Sequence, residues 1–189
     1  MTKKEFIREV TDGLLPPPQY FPLNVKMNKD GYKDIDKVLK TGTTTLDPDS
    51  FEKLANQNRA IILDVRHQDD FAKEHIPQSI FIGLDGGFAP WAGTMIGDIM
   101  LPILLITPNG REEETVTRLA RVGFDNTLGY LKGGFKAWKK EKRDTDSINC
   151  IGAKKFFELD KNGGLDIFDF RKQGEYASEH ILFSQNIPL

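Results

Sequence analysis

The 189 residues predict an α/β fold: a mostly parallel sheet with helices on both faces, followed by a partial second copy of the same unit. Three observations carry this expectation. Short β-type runs alternate with helical patterns, an order that belongs to parallel sheets, whose strands are joined through crossover helices. The run "PILLI" is an apolar strand that stops at a Pro-Asn-Gly turn and opens into a charged helical segment. The stretch "LDVRHQDDFAKEHIPQSIFIGL", Leu63 to Leu84, recurs without a gap as "FDFRKQGEYASEHILFSQNIPL", Phe168 to Leu189, at an offset of 105 residues. Asp64, Arg66, Gln68, Ala72, Glu74, His75, Ile76, Ser79, Ile82 and Leu84 all return. A period near one hundred residues suits duplicated domains better than a solenoid.

Taken in order, residues 1–42 read as an extended, proline-rich linker. Pro16, Pro17, Pro18 and Pro22 each fix φ and remove a donor, while Tyr20 and Phe21 are expected to anchor the segment against the domain that follows. Residues 43–143 read as a complete α/β domain. A short helix around Phe51 and Leu54 precedes the strand at Leu63, a second short helix around Ala72, and a strand at "SIFIGL". After "PILLI", the segment "EEETVTRLARVG" places Val116, Leu119, Ala120 and Val122 at helical spacing, and Gly123 supplies its stop. "NTLGYL" reads as a strand and "GGFKAWKKEKR" as a final helix whose late Lys and Arg suit the negative end of its dipole. Residues 147–189 repeat only the first half of this order.

The charge balance bounds the partners. Lys and Arg total 26 against 28 Asp and Glu, a net charge of −2, so no basic footprint predicts nucleic acid or an anionic membrane. The longest apolar stretch, "IMLPILLI", is too short to span a bilayer. A single Cys excludes an internal disulfide framework, and the first residues lack a signal-peptide core, which together predict a cytoplasmic setting.

Asp-Val-Arg on a strand, "FAKEHIPQSIFIGL" after it, the strand-loop-helix around Gly110 and the closing "GYLKGGFKAWKK" together resemble the rhodanese, or sulfurtransferase, domain. Residues 147–189 resemble the front half of a second one. The lead "TDGLLPPPQYFPLNVKMNKDGY" resembles the segment that joins a metallo-β-lactamase-fold hydrolase, of the persulfide dioxygenase or hydroxyacylglutathione hydrolase type, to rhodanese domains. That resemblance implies a fusion protein, with the metallo-β-lactamase-fold domain of the parent chain as a partner.

It also implies a cysteine at the end of the strand, three residues before the loop glycine, held as a persulfide by backbone N–H groups and the following helix. Counting back from Gly110 reaches Thr107, which cannot form a persulfide. Pro108 removes a donor from the loop, and Glu112, where the family often has arginine, begins three acids that already complement the positive helix end. The position equivalent to Thr107 in the second copy would fall 23 residues beyond Leu189. The expectation is therefore a catalytically inactive rhodanese-like module, structural or regulatory, with no catalytic residue and no cofactor. The alternative is a sulfurtransferase or anion-binding enzyme that uses the loop residues Thr107, Asn109, Gly110 and Arg111.

Other candidates read more simply as structure. Cys150, in the β-type run "SINC", is expected to be a buried thiol. His75 and His180 recur in a half-domain that has no loop, so a structural hydrogen bond explains both. The same repetition makes Asp64 with Arg66, and Asp169 with Arg171, ties between a strand end and the next helix. Trp91 is expected to fill the core, and no histidine spacing points to a metal site. A half-domain of some forty residues rarely folds without help. Its exposed strand edge favours a homodimer through residues 147–189, with docking onto the first domain as the runner-up.

Overall fold

Ile103, Leu104, Leu105 and Ile106 are all fully buried, as a strand covered on both faces must be. In the computed structural model, which describes residues 1–12, 20–161 and 163–189, they form the central strand of a five-stranded sheet. In chain order the strands are β1 (Thr45–Leu46), β2 (Ile61–Asp64), β3 (Ile80–Phe81), β4 (Ile103–Ile106) and β5 (Thr127–Leu131). Every pairing is parallel, in the order β1-β5-β4-β2-β3. Strand β2 runs beside β4 in simple register from Ile61 opposite Ile103 to Asp64 opposite Ile106. The β4–β5 register shifts by one residue between Ile103 and Leu104.

Successive side chains of β4 point to opposite faces, and each face has its own apolar cluster. Ile103 and Leu105 pack with Leu63, Val65, Phe88, Val116 and Leu119. Leu104 and Ile106 pack with Phe51, Leu131, Phe135 and Trp138. Helices α3 (Ile35–Gly42), α6 (Phe88–Met95) and α7 (Glu112–Ala120) cover the first face. The second is covered by α4 (Pro48–Asn58) and α8 (Gly134–Lys140), while α5 (Gln68–Lys73) links β2 to β3. The expected α/β class, with helices on both faces of a parallel sheet, is what the chain adopts.

The lead departs from the expected extended linker. Helices α1 (Lys3–Thr11), α2 (Phe21–Asp30) and α3 occupy most of residues 1–42. Local chemistry explains them. Thr2 and Glu5 form a reciprocal capping box at the start of α1. Pro22 sits in the first turn of α2, where a missing N–H costs nothing. The Asp34 carboxylate accepts the Asp36 N–H at the start of α3. The three-proline run, Pro16 to Pro18, lies outside the described residues. Tyr20 does anchor the lead: it packs against the first cluster, with its ring against Gly93, whereas Phe21 is half exposed. The boundary at residue 43 is also too late, because Val38 of α3 is a core residue and Gly42 fits between Val116 and Thr127 only for want of a Cβ. The other boundary lies past residue 143, since Asp146 exchanges both backbone hydrogen bonds with His75.

The chain divides into two units, Met1–Ser147 and Ile148–Leu189. The second contains α9 (Ala153–Asp160), β6 (Phe168–Asp169), α10 (Gln173–Ser178) and β7 (Gln185–Asn186), with β6 parallel to β7. Among its described residues there is no counterpart of β1. Residues 147–152 have no regular structure, and Cys150 is exposed, contrary to the buried strand thiol expected. The sheet order accounts for this: among the described residues β1 pairs only with β5, and no described strand of the second unit stands in that place.

Candidate functional site

Strand β4 delivers Thr107 to the C-terminal edge of the sheet, the edge at which open α/β sheets bind ligands. Thr107 itself is buried. Pro108 follows, Asn109 and Gly110 turn the chain with Gly110 at φ +81°, and α7 begins at Glu112. The turn is closed by the Arg111 N–H donating to the Pro108 carbonyl at 3.1 Å. Glu112 then folds back. Its Oε1 accepts the Gly110 N–H at 3.1 Å and the Thr107 hydroxyl at 3.4 Å. A carboxylate oxygen of the chain therefore engages two of the loop's donors.

Of the four loop residues singled out from the sequence, the structure gathers Thr107 and Gly110 on one acceptor. Asn109 stays exposed in the turn. Arg111 points elsewhere: its guanidinium donates to Glu114 at 2.8 and 2.9 Å and to Asp85 at 2.8 Å. Those bonds push the Arg111 pKa further up, and the Arg111 hydrogen bond holds the Glu114 carboxyl below the usual carboxylate range.

An open basin of about 760 Å³ lies beside this turn, lined by Arg66, Thr107, Glu112, Phe135 and Lys136 among others. Its walls are built by pairing. Asp64 is fully buried and takes the Arg66 guanidinium in a two-oxygen grip at 2.6–2.9 Å. Arg66 also donates to the Glu74 carbonyl at 2.8 Å and lies over the Phe135 ring, 4.3 Å from its centroid. On the rim, Lys139 hydrogen-bonds Glu74 and holds that carboxyl below its ordinary range. Sequence reasoning read Arg66 as a structural tie, which it is, and missed that the same side chain lines the basin. It also assigned Glu112 to repulsion and helix-end charge rather than to filling the loop. The available signal was that a Glu at the first helical residue stands two positions after the loop glycine. A second hollow, of about 730 Å³, opens at the opposite ends of β2 and β3 near Arg59, Pro77 and Trp138, away from the loop-to-helix turn.

Besides Cys150, which is exposed, the residues read as structural behave accordingly, with one exception. His75 is buried, its Nδ1 lies 2.8 Å from the Phe71 carbonyl oxygen, and its ring stacks on Phe71. His180 repeats the arrangement with Tyr176 at 2.7 Å, and Arg171 repeats the grip on Asp169 and the bond to the Glu179 carbonyl. The exception is Trp91, expected in the core and found 47% exposed; Trp138 is the core tryptophan. Among the described residues, no group of three or more His, Cys, Asp or Glu is placed to hold a metal ion, and no helix is long and apolar enough to cross a membrane.

A five-stranded parallel sheet in this order, with a strand-loop-helix turn at its C-terminal edge, defines an α/β domain with its loop at the edge where open parallel sheets bind ligands. The sequence profile of the "Rhodanese-like domain" family matches residues 47–141, and the chain belongs to that family. No curated protein sequence matches the chain. Among solved structures, a metallo-beta-lactamase from Staphylococcus aureus subsp. aureus COL is 20% identical, with 69% of this chain and 35% of that one covered and a TM-score of 0.53. The Rhodanese_3-like domain of an Anabaena sp. protein is 22% identical over 50% of this chain and 98% of its own, with a TM-score of 0.44. A thiosulfate sulfurtransferase from Pseudomonas aeruginosa is 19% identical over 77% and 31%, with a TM-score of 0.45. At these identities the likeness is one of fold.

Proposed function

We propose that this chain is a non-catalytic rhodanese-like module that serves a structural or regulatory role in a larger sulfur-handling protein. One observation carries the reading: the Glu112 carboxylate accepts hydrogen bonds from the Gly110 N–H and the Thr107 hydroxyl, in a loop whose strand-end residue is not a thiol. A negative oxygen already satisfies these donors, so a second anion would face Coulomb repulsion at contact distance and donors already engaged. The same occupancy argues against an anion-binding enzyme that uses Thr107, Asn109, Gly110 and Arg111, because Arg111 is turned onto Glu114 and Asp85. The larger protein we have in mind joins a metallo-β-lactamase-fold hydrolase to rhodanese domains. The lead segment's resemblance supports that architecture, and the Staphylococcus aureus neighbour bears the name metallo-beta-lactamase.

The test is a thiosulfate:cyanide sulfurtransferase assay on the full chain. Turnover is expected to equal that of Thr107→Ala, that is, background. Thr107→Cys alone is expected to stay at background as well, since Glu112 and Pro108 persist. Turnover of the natural chain well above Thr107→Ala would overturn the reading, and full activity in Thr107→Cys would refute the role assigned to Glu112.

A further inference from the structure

The hollow of about 730 Å³ lies at the N-terminal ends of β2 and β3, at the opposite edge of the sheet from the Thr107 loop. Its floor is apolar. Strand β2 is flanked by β3 and β4, and an inner strand with both faces covered should be buried. Ile61 and Ile62 of β2 are nevertheless only half-buried, because both line the hollow, together with Ile76 and Trp138. The rim is charged, and not all of its charges are matched. Arg143 is held by Asp49, Glu52 and Glu141. Among the described residues, Arg59 and Lys142 have no ion-pair partner, and the one lining carboxylate without a cation of its own is Asp144. Both cations stand where glycine would be relaxed. Arg59 ends α4 at φ +50° and Lys142 follows α8 at φ +57°, a left-handed backbone in which a Cβ is strained. The negative end of a helix dipole accounts for a cation at Arg59, since the last turn of α4 has no base. It does not account for Lys142, because Lys139 and Lys140 already stand in the last turn of α8.

We infer that this hollow binds a small organic anion, a carboxylate on an apolar chain or ring, with the apolar body over Ile62, Ile76 and Trp138 and the charge taken by Arg59 and Lys142. The size and composition fit such a ligand. Small-ligand sites commonly enclose roughly 300–1,000 Å³ and set a few polar groups around an apolar lining. Two unmatched cations against one unmatched carboxylate leave the rim with an excess of positive charge, which favours an anion over a neutral or cationic ligand. Because the hollow shares no lining residue with the basin beside Glu112, the inference is independent of whether the Thr107 loop is catalytic.

The whole natural chain carries its own reporter. The Trp138 indole N–H donates to the Asp144 carbonyl at 2.9 Å, and both residues line the hollow, whereas Trp91 is exposed on α6 and does not. Titration with octanoate, followed through the two indole N–H resonances, is expected to shift Trp138 saturably and to leave Trp91 in place. Octanol and sulfate, which each carry one half of the ligand's chemistry, should act on Trp138 at least about tenfold more weakly. Arg59→Gly and Lys142→Gly should each weaken octanoate binding several-fold. Their melting temperatures should be no lower than that of the natural chain, because glycine relaxes both positions. The inference is overturned by the absence of a saturable shift at Trp138 in millimolar octanoate, by an equal shift at Trp91, or by octanol acting as strongly as octanoate. Unchanged octanoate binding in the two glycine variants would also overturn it. A lower melting temperature in both would do the same, by showing that the two side chains serve the fold.

Discussion

Asp64 shows what one side chain does for this domain. Its carboxylate is fully buried, and Arg66, itself mostly shielded, is its counter-charge and closes the basin wall over Phe135. Removing one partner of such a pair leaves a buried charge uncompensated, so Asp64→Ala is expected to destabilise Met1–Ser147 by about 3–5 kcal/mol. The equivalent Asp169→Ala should cost far less, because Arg171 is half exposed and water replaces its partner. Tryptophan fluorescence during denaturant unfolding reads the first substitution directly, since Trp91 and Trp138 both belong to the first unit. A loss below about 1 kcal/mol for Asp64→Ala would show that the pair does not brace the domain. This pair was legible from the sequence, because a residue repeated in a segment without a catalytic loop has a structural use. Glu112 was legible only in part. Its charge at a helix start could be read, but the bend that returns its carboxylate to Gly110 depends on the left-handed turn and on Thr107 being held beside it.

At the level of elements, β5 depends on one glycine. Gly129 has φ +147°, and a Cβ there would lie 2.5 Å from the Thr44 carbonyl oxygen. It sits where the β4–β5 register has just shifted, so the strand cannot slide to relieve the clash. Gly129→Ala should therefore cost about 1–3 kcal/mol or more and loosen β1, which pairs only with β5. Faster amide exchange at Tyr130 and Lys132, whose N–H groups donate to Thr44 and Leu46, would report that loosening, and unchanged exchange there would rule it out. The strands and helices of the first unit from Thr43 onward followed their apolar periodicity closely, whereas the β-type run "SINC" formed no strand. The lead did not, because proline was read as a breaker throughout, whereas Pro22 occupies a helix's first turn and Thr2 and Glu5 cap another helix.

For the whole molecule, the carboxylates set the response to acid. Glu74 beside Lys139, Glu114 beside Arg111 and Asp47 under the Ser50 N–H are all held below the ordinary carboxylate range. The folded state then releases these protons more readily than the unfolded chain. The stabilisation is complete above the ordinary range, roughly pH 4, and is lost as pH falls through the folded values. Asp125 works the other way, since burial pushes its pKa up and its contribution favours acid. The Thr2 N–H holds Glu5 down in the same way, and with four lowered groups against one raised, the melting temperature of the first unit should fall between about pH 5 and pH 3. A melting temperature that holds or rises over that window would contradict the assignment. The sequence by itself determined the alternation of strands and helices, the repeat, and the absence of a thiol at residue 107. Each of these is a matter of order along the chain and of local periodicity. Tertiary structure alone decided that Glu112 fills the loop, that Arg111 turns away to Asp85 and Glu114, and that the apolar residues of the second unit stand in water. Those outcomes depend on which groups distant in sequence meet at a strand end or a sheet edge, and whether an apolar residue is covered depends on a partner element that its own segment does not encode.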